Sequence, residues 1–424
     1  MKENQKRHTT RIRNLVISLV LTALILSVST YAWFIGMRTV SVDEFSVEIA
    51  STKELELSLN GQTWADTVTI NQTNFSDVSY EENTNWWTGS PEPRYDEEGD
   101  LITPAEGEHR GLIPMSSIGT IDQTASRLVL YEKSSLTTSA GGYRIMASRA
   151  ENEGDTEAPG YVAFDLFIKN HTGADYIEEL DKLNEESIYL SVDSGVSVAS
   201  HGVLNTGIEN SVRVAFAQIG RVEGTTETVT DITGITCDDV EGKVTGICER
   251  PAVIWEPNDT QHVSGAIGWY NTACKARTST TEFSGPCSPI EDGTYYPTYA
   301  IGAPIGSEKA VDVYDGPAYN GFGVNVTPRD GEFNENGLLY EYPTFTDTMK
   351  VMEGMQRPEF MSLAPNSITK VRIYIFIEGQ DIDNYDFAAI GKAISVKFGF
   401  TKQRFEPSDF DYSGPLPTTT TTQP

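Results

Sequence analysis

The chain reads as a mainly β protein, a jelly-roll-like β-sandwich with long insertions carried behind one N-terminal transmembrane helix. Three observations predict this. Its 424 residues include 19 Tyr, 17 Phe and 36 Gly among many Thr and Val, a composition suited to pleated strands and tight turns. Alternating apolar runs recur from Val40 to Phe400. One long apolar stretch, Asn14 to Gly36, follows a basic leader.

That stretch is NLVISLVLTALILSVSTYAWFIG. Leu15 to Ile35 matches the roughly 20 residues that a helix needs to cross the hydrocarbon core. Lys2, Lys6, Arg7, Arg11 and Arg13 precede it, while Asp43, Glu44 and Glu48 follow. The positive-inside rule then leaves the leader in the cytoplasm and the rest outside. Two readings compete for this segment. A cleaved signal peptide would use Leu15 to Leu26 as its core, with Ser27 and Ser29, or Thr30 and Ala32, before the cut. An uncleaved anchor is preferred, because apolar and interfacial residues continue through Tyr31, Trp33 and Ile35.

Val40 to Ile49 is the first strand candidate. Leu55, Leu57 and Leu59 alternate next, then Asn60-Gly61, then Trp64 and Val68 to Ile70. Asn-Gly accepts the positive φ angles of tight turns, so a hairpin is expected here. Ser76 to Gly107 is an acidic, turn-rich excursion containing Trp86-Trp87, a pair able to stack on a sugar or to pin the loop to the core. Leu112 to Ile118 and Arg127 to Tyr131 are short strands. Gly142 to Ser148 and Tyr161 to Lys169 suggest a pair joined by an acidic loop. Ala174 to Glu186 is the clearest helix, with Ile177, Leu180 and Leu183 at helical spacing. Ser187 to Val192 and Ser211 to Ala217 return to strand.

Gly220 to Ile290 differs in kind. It is rich in Thr, Gly and acids, and it holds all four cysteines, Cys237, Cys248, Cys274 and Cys287. No C-x-x-C pair favours zinc, and outside the membrane the thiols should be oxidised. Of three possible pairings, the local one, Cys237–Cys248 and Cys274–Cys287, closes each loop without long-range constraint. Beyond it, Tyr295 to Ile301 and Ser307 to Val313 should rejoin the sheet. Ile368 to Ile377 is the strongest strand, apolar on both faces and therefore central, with Ile394 to Phe400 as its expected partner. The organisation predicted is a leader at 1–13, an anchor at 14–36, a first half-sandwich at 37–219, a disulfide-stapled insertion at 220–290, a second half at 291–412 and a Pro/Thr tail at 413–424.

The charge excludes one class of partner. The chain carries 61 acids against 31 bases, a net charge of −30. Without the leader's five bases and one acid, 26 bases face 60 acids. Such a surface repels phosphate backbones, so no nucleic-acid partner is expected. Enzyme signatures are missing as well. The five histidines form no H-E-x-x-H, and there is no G-x-S-x-G, phosphate-binding loop or dinucleotide fingerprint. A glycosidase needs only two facing carboxylates, which an acidic chain can always supply. Asp381, Asp383 and Asp386, following Glu378, place oxygen ligands at near-alternating positions of one loop, a candidate calcium site without the usual loop Gly and distal Glu. An acidic turn with Asx capping is the competing explanation. Leu416 to Thr420 approaches a sortase signal but lacks its Gly and any apolar tail. Asn71, Asn74, Asn170, Asn258 and Asn325 begin N-x-S/T sequons.

Two segments together resemble a known class. STYAWF at Ser29 to Phe34 ends the span and runs directly into alternating strands, and VRIYIFIEGQDIDNYD occupies Val371 to Asp386. This pattern resembles the TasA/camelysin class of bacterial surface and biofilm-matrix proteins. The resemblance implies a jelly-roll ectodomain with a fibre or matrix role, and it carries over no functional residue. The expectation is therefore a non-catalytic, single-pass surface protein with no cofactor beyond the candidate calcium, its C-terminal domain extracellular, acting as a structural, adhesive or matrix component. Its partners would be the membrane, a second copy of itself or cell-surface glycans. The alternative is an extracellular carbohydrate-binding or carbohydrate-cleaving protein.

Overall fold

The computed structural model describes residues 42–51, 54–70, 84–85, 94–95, 101–102, 112–139, 142–150, 160–171, 175–200, 202–238, 246–268, 270–271, 290–296, 298–302, 339–341, 344–352, 357–384 and 392–404. The expected leader, the span at 14–36, Trp86-Trp87, Cys274, Cys287, Asp386, Ser307 to Val313 and the tail lie outside them. Among the described residues no helix is long and apolar enough to cross a membrane.

The protein is mainly β, with mixed sheets arranged consistently with a β-sandwich. Its principal strands are β1 (Val42–Ala50), β2 (Leu55–Ser58), β3 (Thr67–Ile70), β4 (Pro114–Ser116), β5 (Tyr131–Ser139), β6 (Gly142–Arg149), β7 (Val162–Asn170) and β8 (Glu186–Leu190). They continue with β9 (Gly195–Val198), β10 (Val212–Glu223), β11 (Val253–Glu256), β12 (Phe345–Thr346), β13 (Met361–Leu363), β14 (Ser367–Glu378) and β15 (Lys392–Arg404). A larger sheet runs β6-β5-β4-β14-β10-β11-β12, with β7 also on β14 and β2 on β7. A smaller sheet runs β13-β8-β15-β1-β3, with β9 also on β15.

As expected, β14 is central, antiparallel to both β7 and β10. The reason is visible on its two faces. Val371, Ile373, Ile375 and Ile377 point into the core shared with the smaller sheet. Ile368, Tyr374 and Phe376 lie in a second apolar cluster with Leu128, Ile232, Ile247 and Ala252. A strand covered on both sides reads as a continuous apolar run. The shared core is closed by aromatic rings. Phe216 meets Phe360 edge-on at 4.6 Å and Phe398 at 5.2 Å, the geometry that ring quadrupoles favour.

Several expectations are corrected. Ile394 to Phe400 does not pair with β14. It lies in β15, the centre of the other sheet, antiparallel to β8 and β9 and parallel to β1. The two strands face one another across the core. The Asn60-Gly61 turn forms, with Gly61 at φ 67° and Asn60 Oδ1 accepting from the Gln62 and Thr63 amides. It does not close a regular hairpin, because one bridge, Leu57 to Ala65, joins its arms. β2 then pairs with β7 while β3 pairs with β1, so each arm serves a different sheet. β6 and β7 are likewise not a pair, since β6 lies on β5 and β7 on β14.

The helix expected at 174–186 is absent among the described residues of that segment. Arg221 Nη2 takes the Glu179 carbonyl at 2.7 Å and the Glu178 carbonyl at 3.4 Å. Those acceptors are the ones a helix would offer to residues 182 and 183. Leu180 packs against the second apolar cluster while Leu183 is 52% exposed, so the three apolar residues do not share one buried helical face. Nor do the described residues of 220–290 stand apart as an insertion. β10 extends to Glu223, and β11, in the middle of that segment, is a strand of the larger sheet with Trp255 fully buried. Among the described residues Tyr299–Ile301 pairs with Leu339–Glu341 and not with the main sheet.

Candidate functional site

The expected calcium loop is the turn after β14, and the fold brings its described members into a buried ionic cluster. Gly379 N donates to the Met115 carbonyl at 2.7 Å, which fixes the exit from the strand. Asp381 Oδ1 accepts from the Asp383 amide at 2.7 Å, an Asx turn that curls the chain inward. Glu378, Asp381 and Asp383 end up buried. Facing them is Arg213, at the start of β10. A short helix, Ile208–Ser211, leads into it, and Arg213 Nη1 donates to the Asn210 and Val212 carbonyls. Gly207 precedes that helix at φ 85°. A Cβ there would lie 2.5 Å from the Asp383 carbonyl oxygen, so this close approach requires glycine.

Arg213 Nη2 meets Glu256 Oε1 at 2.6 Å and Asp381 Oδ2 at 2.5 Å. Thr344 Oγ1 donates to the other oxygen of Glu256. Asp383 Oδ2 lies 2.8 Å from His262 Nδ1, while its Oδ1 accepts from the Val263 amide. His262 Nε2 faces the Thr294 carbonyl at 3.0 Å, which requires a proton on that nitrogen.

Burial dominates the electrostatics. It pushes the Glu378 carboxyl up to about 8, against the opposing pull of Arg213. Burial likewise raises Glu256, again opposed by Arg213. Asp383 is pushed up to about 6 by burial and by the neighbouring charge of Asp381. For His262 burial works the other way, but the hydrogen bond and charge of Asp383 outweigh it and raise the pKa. Four carboxyl groups thus share one arginine and one histidine.

At the far end of the same strand, Arg221 builds the opposite arrangement. Glu185 is buried and accepts from Arg221 Nη1 at 2.9 Å, Arg250 Nη1 at 3.0 Å and Ser362 Oγ at 2.6 Å. Burial would raise its pKa, but the bonds from Arg250 and Ser362 and the two positive charges hold it below the usual carboxylate value. Arg250 directly follows the short 3-10 turn Ile247–Glu249, which the Cys237–Cys248 disulfide ties down across a Cα separation of 5.8 Å. That bond is the local pairing expected from sequence.

A neutral acid beside ionised ones is the polarisation that acid–base pairs exploit. Here, however, Glu256, Glu378, Asp381 and Asp383 are each at most 5% exposed. Their oxygens are spent on Arg213, His262, Thr344 and backbone amides. Among the described residues no group of three or more His, Cys, Asp or Glu is arranged to hold a metal. Asp381 and Asp383 are therefore brought together as ion-pair acceptors, and Asp386 lies outside the described residues. The arrangement fastens the loop after β14 to β10, β11 and the segment around His262.

Arg213 and Glu256 belong to no sequence motif, and His262 is one of the five histidines that form no H-E-x-x-H. The available signal was Arg213 itself, a lone base inside the apolar alternation SVRVAFAQI. A charge at an inward position of a strand demands a buried counter-charge. Comparison of the chain with protein-family models, with curated proteins and with solved structures finds no match.

Proposed function

We propose that this chain is a membrane-anchored, extracellular β-protein of the cell surface, with a structural, adhesive or matrix role and no catalytic centre. In this reading the sandwich is jelly-roll-like, and residues 14–36 hold it to the membrane with the N-terminus inside. Its partners are a second copy or cell-surface glycans. The observation that carries the reading is the Cys237–Cys248 disulfide. Such a bond persists in an oxidising compartment, and the basic leader and apolar span would deliver the domain to one. The closed acidic cluster adds support, since its carboxyl groups are buried and already bonded.

The test is protease treatment of intact cells expressing the full chain. The ectodomain should be digested while a cytoplasmic marker survives, and an N-terminal peptide should stay with the membrane fraction. A full-length chain protected until lysis overturns the reading. Saturable binding to one glycan, or its cleavage, would move the assignment to the carbohydrate alternative.

A further inference from the structure

Three polar side chains from three strands converge at one end of the sandwich: Asn170 at the end of β7, Glu186 at the start of β8 and Lys402 near the end of β15. Lys402 Nζ lies 3.1 Å from Asn170 Oδ1 and 3.3 Å from Glu186 Oε2. Asn170 Nδ2 donates to the same Glu186 oxygen at 2.8 Å and to the Ala364 carbonyl at 2.8 Å. With both amide hydrogens so placed, Oδ1 is the atom turned toward the lysine. Register explains the meeting. Lys402 pairs with Ile188, and Glu186, two residues earlier on β8, is its diagonal neighbour on the same face. Asn170 belongs to the larger sheet, where it pairs with Ser367 and Leu55. The Asn170 residue is fully buried, and the Lys402 side chain is 6% exposed. Glu54, 66% exposed, reaches Nζ at 2.9 Å from outside.

We propose that Lys402 and Asn170 become joined by an intramolecular isopeptide bond, with Glu186 moving the protons. Lys402 Nζ is held 3.1 Å from Asn170 Oδ1, so the amine is already positioned beside the amide it would attack. Oδ1 is one bond from the carbon to be attacked. Glu186 takes a proton from the Lys402 ammonium, and the freed lone pair attacks Asn170 Cγ. Glu186 hands that proton to Nδ2 of the tetrahedral adduct and, again a carboxylate, takes a second proton off Nζ. The Cγ–Nδ2 bond breaks, the released ammonia takes the second proton from Glu186, and the nitrogen departs as ammonium. The carbonyl re-forms, Glu186 regains its charge, and nothing is oxidised or reduced. The same carboxylate touches the nucleophile and the leaving group, as general acid–base work requires.

The consequence is a covalent tie between the two sheets, joining residues 232 apart in the chain. It also disposes of one sequon. Asn170 is buried with its amide engaged, so this position serves the interior and not glycosylation.

The experiment is peptide mapping by tandem mass spectrometry on the reduced full-length chain. The expected result is one branched peptide containing both Asn170 and Lys402, with the summed mass of its arms less one ammonia. Lys402→Arg keeps the positive charge and Glu186→Gln keeps the shape, yet each should yield two separate peptides at full mass. Deamidation or succinimide formation at Asn170 would also leave two peptides, and neither counts as support. Recovery of both peptides unlinked from wild-type protein with a β-type circular dichroism spectrum overturns the proposal, leaving an ion pair only. The wild-type map decides the matter even where a variant fails to fold.

Discussion

Arg213 and Arg221 sit near opposite ends of β10, both buried, and their surroundings are inverted. Around Arg213, carboxyl groups outnumber cations, so burial wins and several acids are raised. Around Glu185, two arginines share one carboxylate, so the cations win and its pKa falls. The local ratio of acids to bases decides which protonation state burial tolerates. The two ends of one strand should therefore respond oppositely to the removal of an acid and to pH.

The largest effect should come from Arg213→Ala. It strands Glu256 and Asp381 without their shared cation, and breaking a buried pair costs about 3–5 kcal/mol. Urea unfolding should show this variant to be the least stable of the set. Glu185→Ala leaves two arginines facing one another. Because Arg250 is part-exposed and Arg221 retains the Glu179 carbonyl, the loss should be smaller, about 3 kcal/mol. A larger loss for Glu185→Ala than for Arg213→Ala would break the comparison.

Removing the disulfide tests the arginine end alone. Cys237→Ser opens a short closed loop across a sequence separation of 11, for an expected loss of about 2–3 kcal/mol. Hydrogen exchange should quicken around Ile247 to Arg250 and leave the Asp381 to Asp383 amides unchanged. Equal acceleration at both ends would mean that they unfold as one unit.

The smallest effect is the sharpest in sign. Glu378 holds its proton up to about 8 in the folded chain, against about 4.3 for a free Glu. Between those values the folded state binds more protons than the unfolded one, so this contribution to stability is lost as pH rises through that window. The raised His262 acts in the same direction. Glu185, lowered, contributes stability above its ordinary pKa that is lost as pH falls toward its folded value. Glu378→Gln should flatten the alkaline decline and add on the order of 1–2 kcal/mol near pH 8, read from urea midpoints at pH 5 and pH 8. A decline that persists unchanged would place its origin elsewhere.

Much of the fold was legible in particular residues. The alternation of Leu55, Leu57 and Leu59 marked a buried strand, and all three are buried. The two-sided apolar run at Ile368 to Ile377 marked a central strand, and β14 is one. Spacing alone suggested Cys237–Cys248. The ionic clusters were hidden because their members are scattered. Arg213, Glu256, His262 and Asp381 lie on separate stretches, and no local spacing links them.

By itself, the sequence marked the strands at Leu55 to Leu59 and Ile368 to Ile377, the turn at Asn60-Gly61 and the local Cys237–Cys248 pairing, because each depends on neighbours a few positions apart. Only the tertiary structure decided that β15 faces β14 instead of pairing with it, that Arg221 spends the carbonyls a helix at 174–186 would need, and that Lys402 reaches Asn170. Side-chain alternation fixes which face of a strand is buried but not which strand lies beside it. That choice rests on long-range contacts, whose partners no local pattern names.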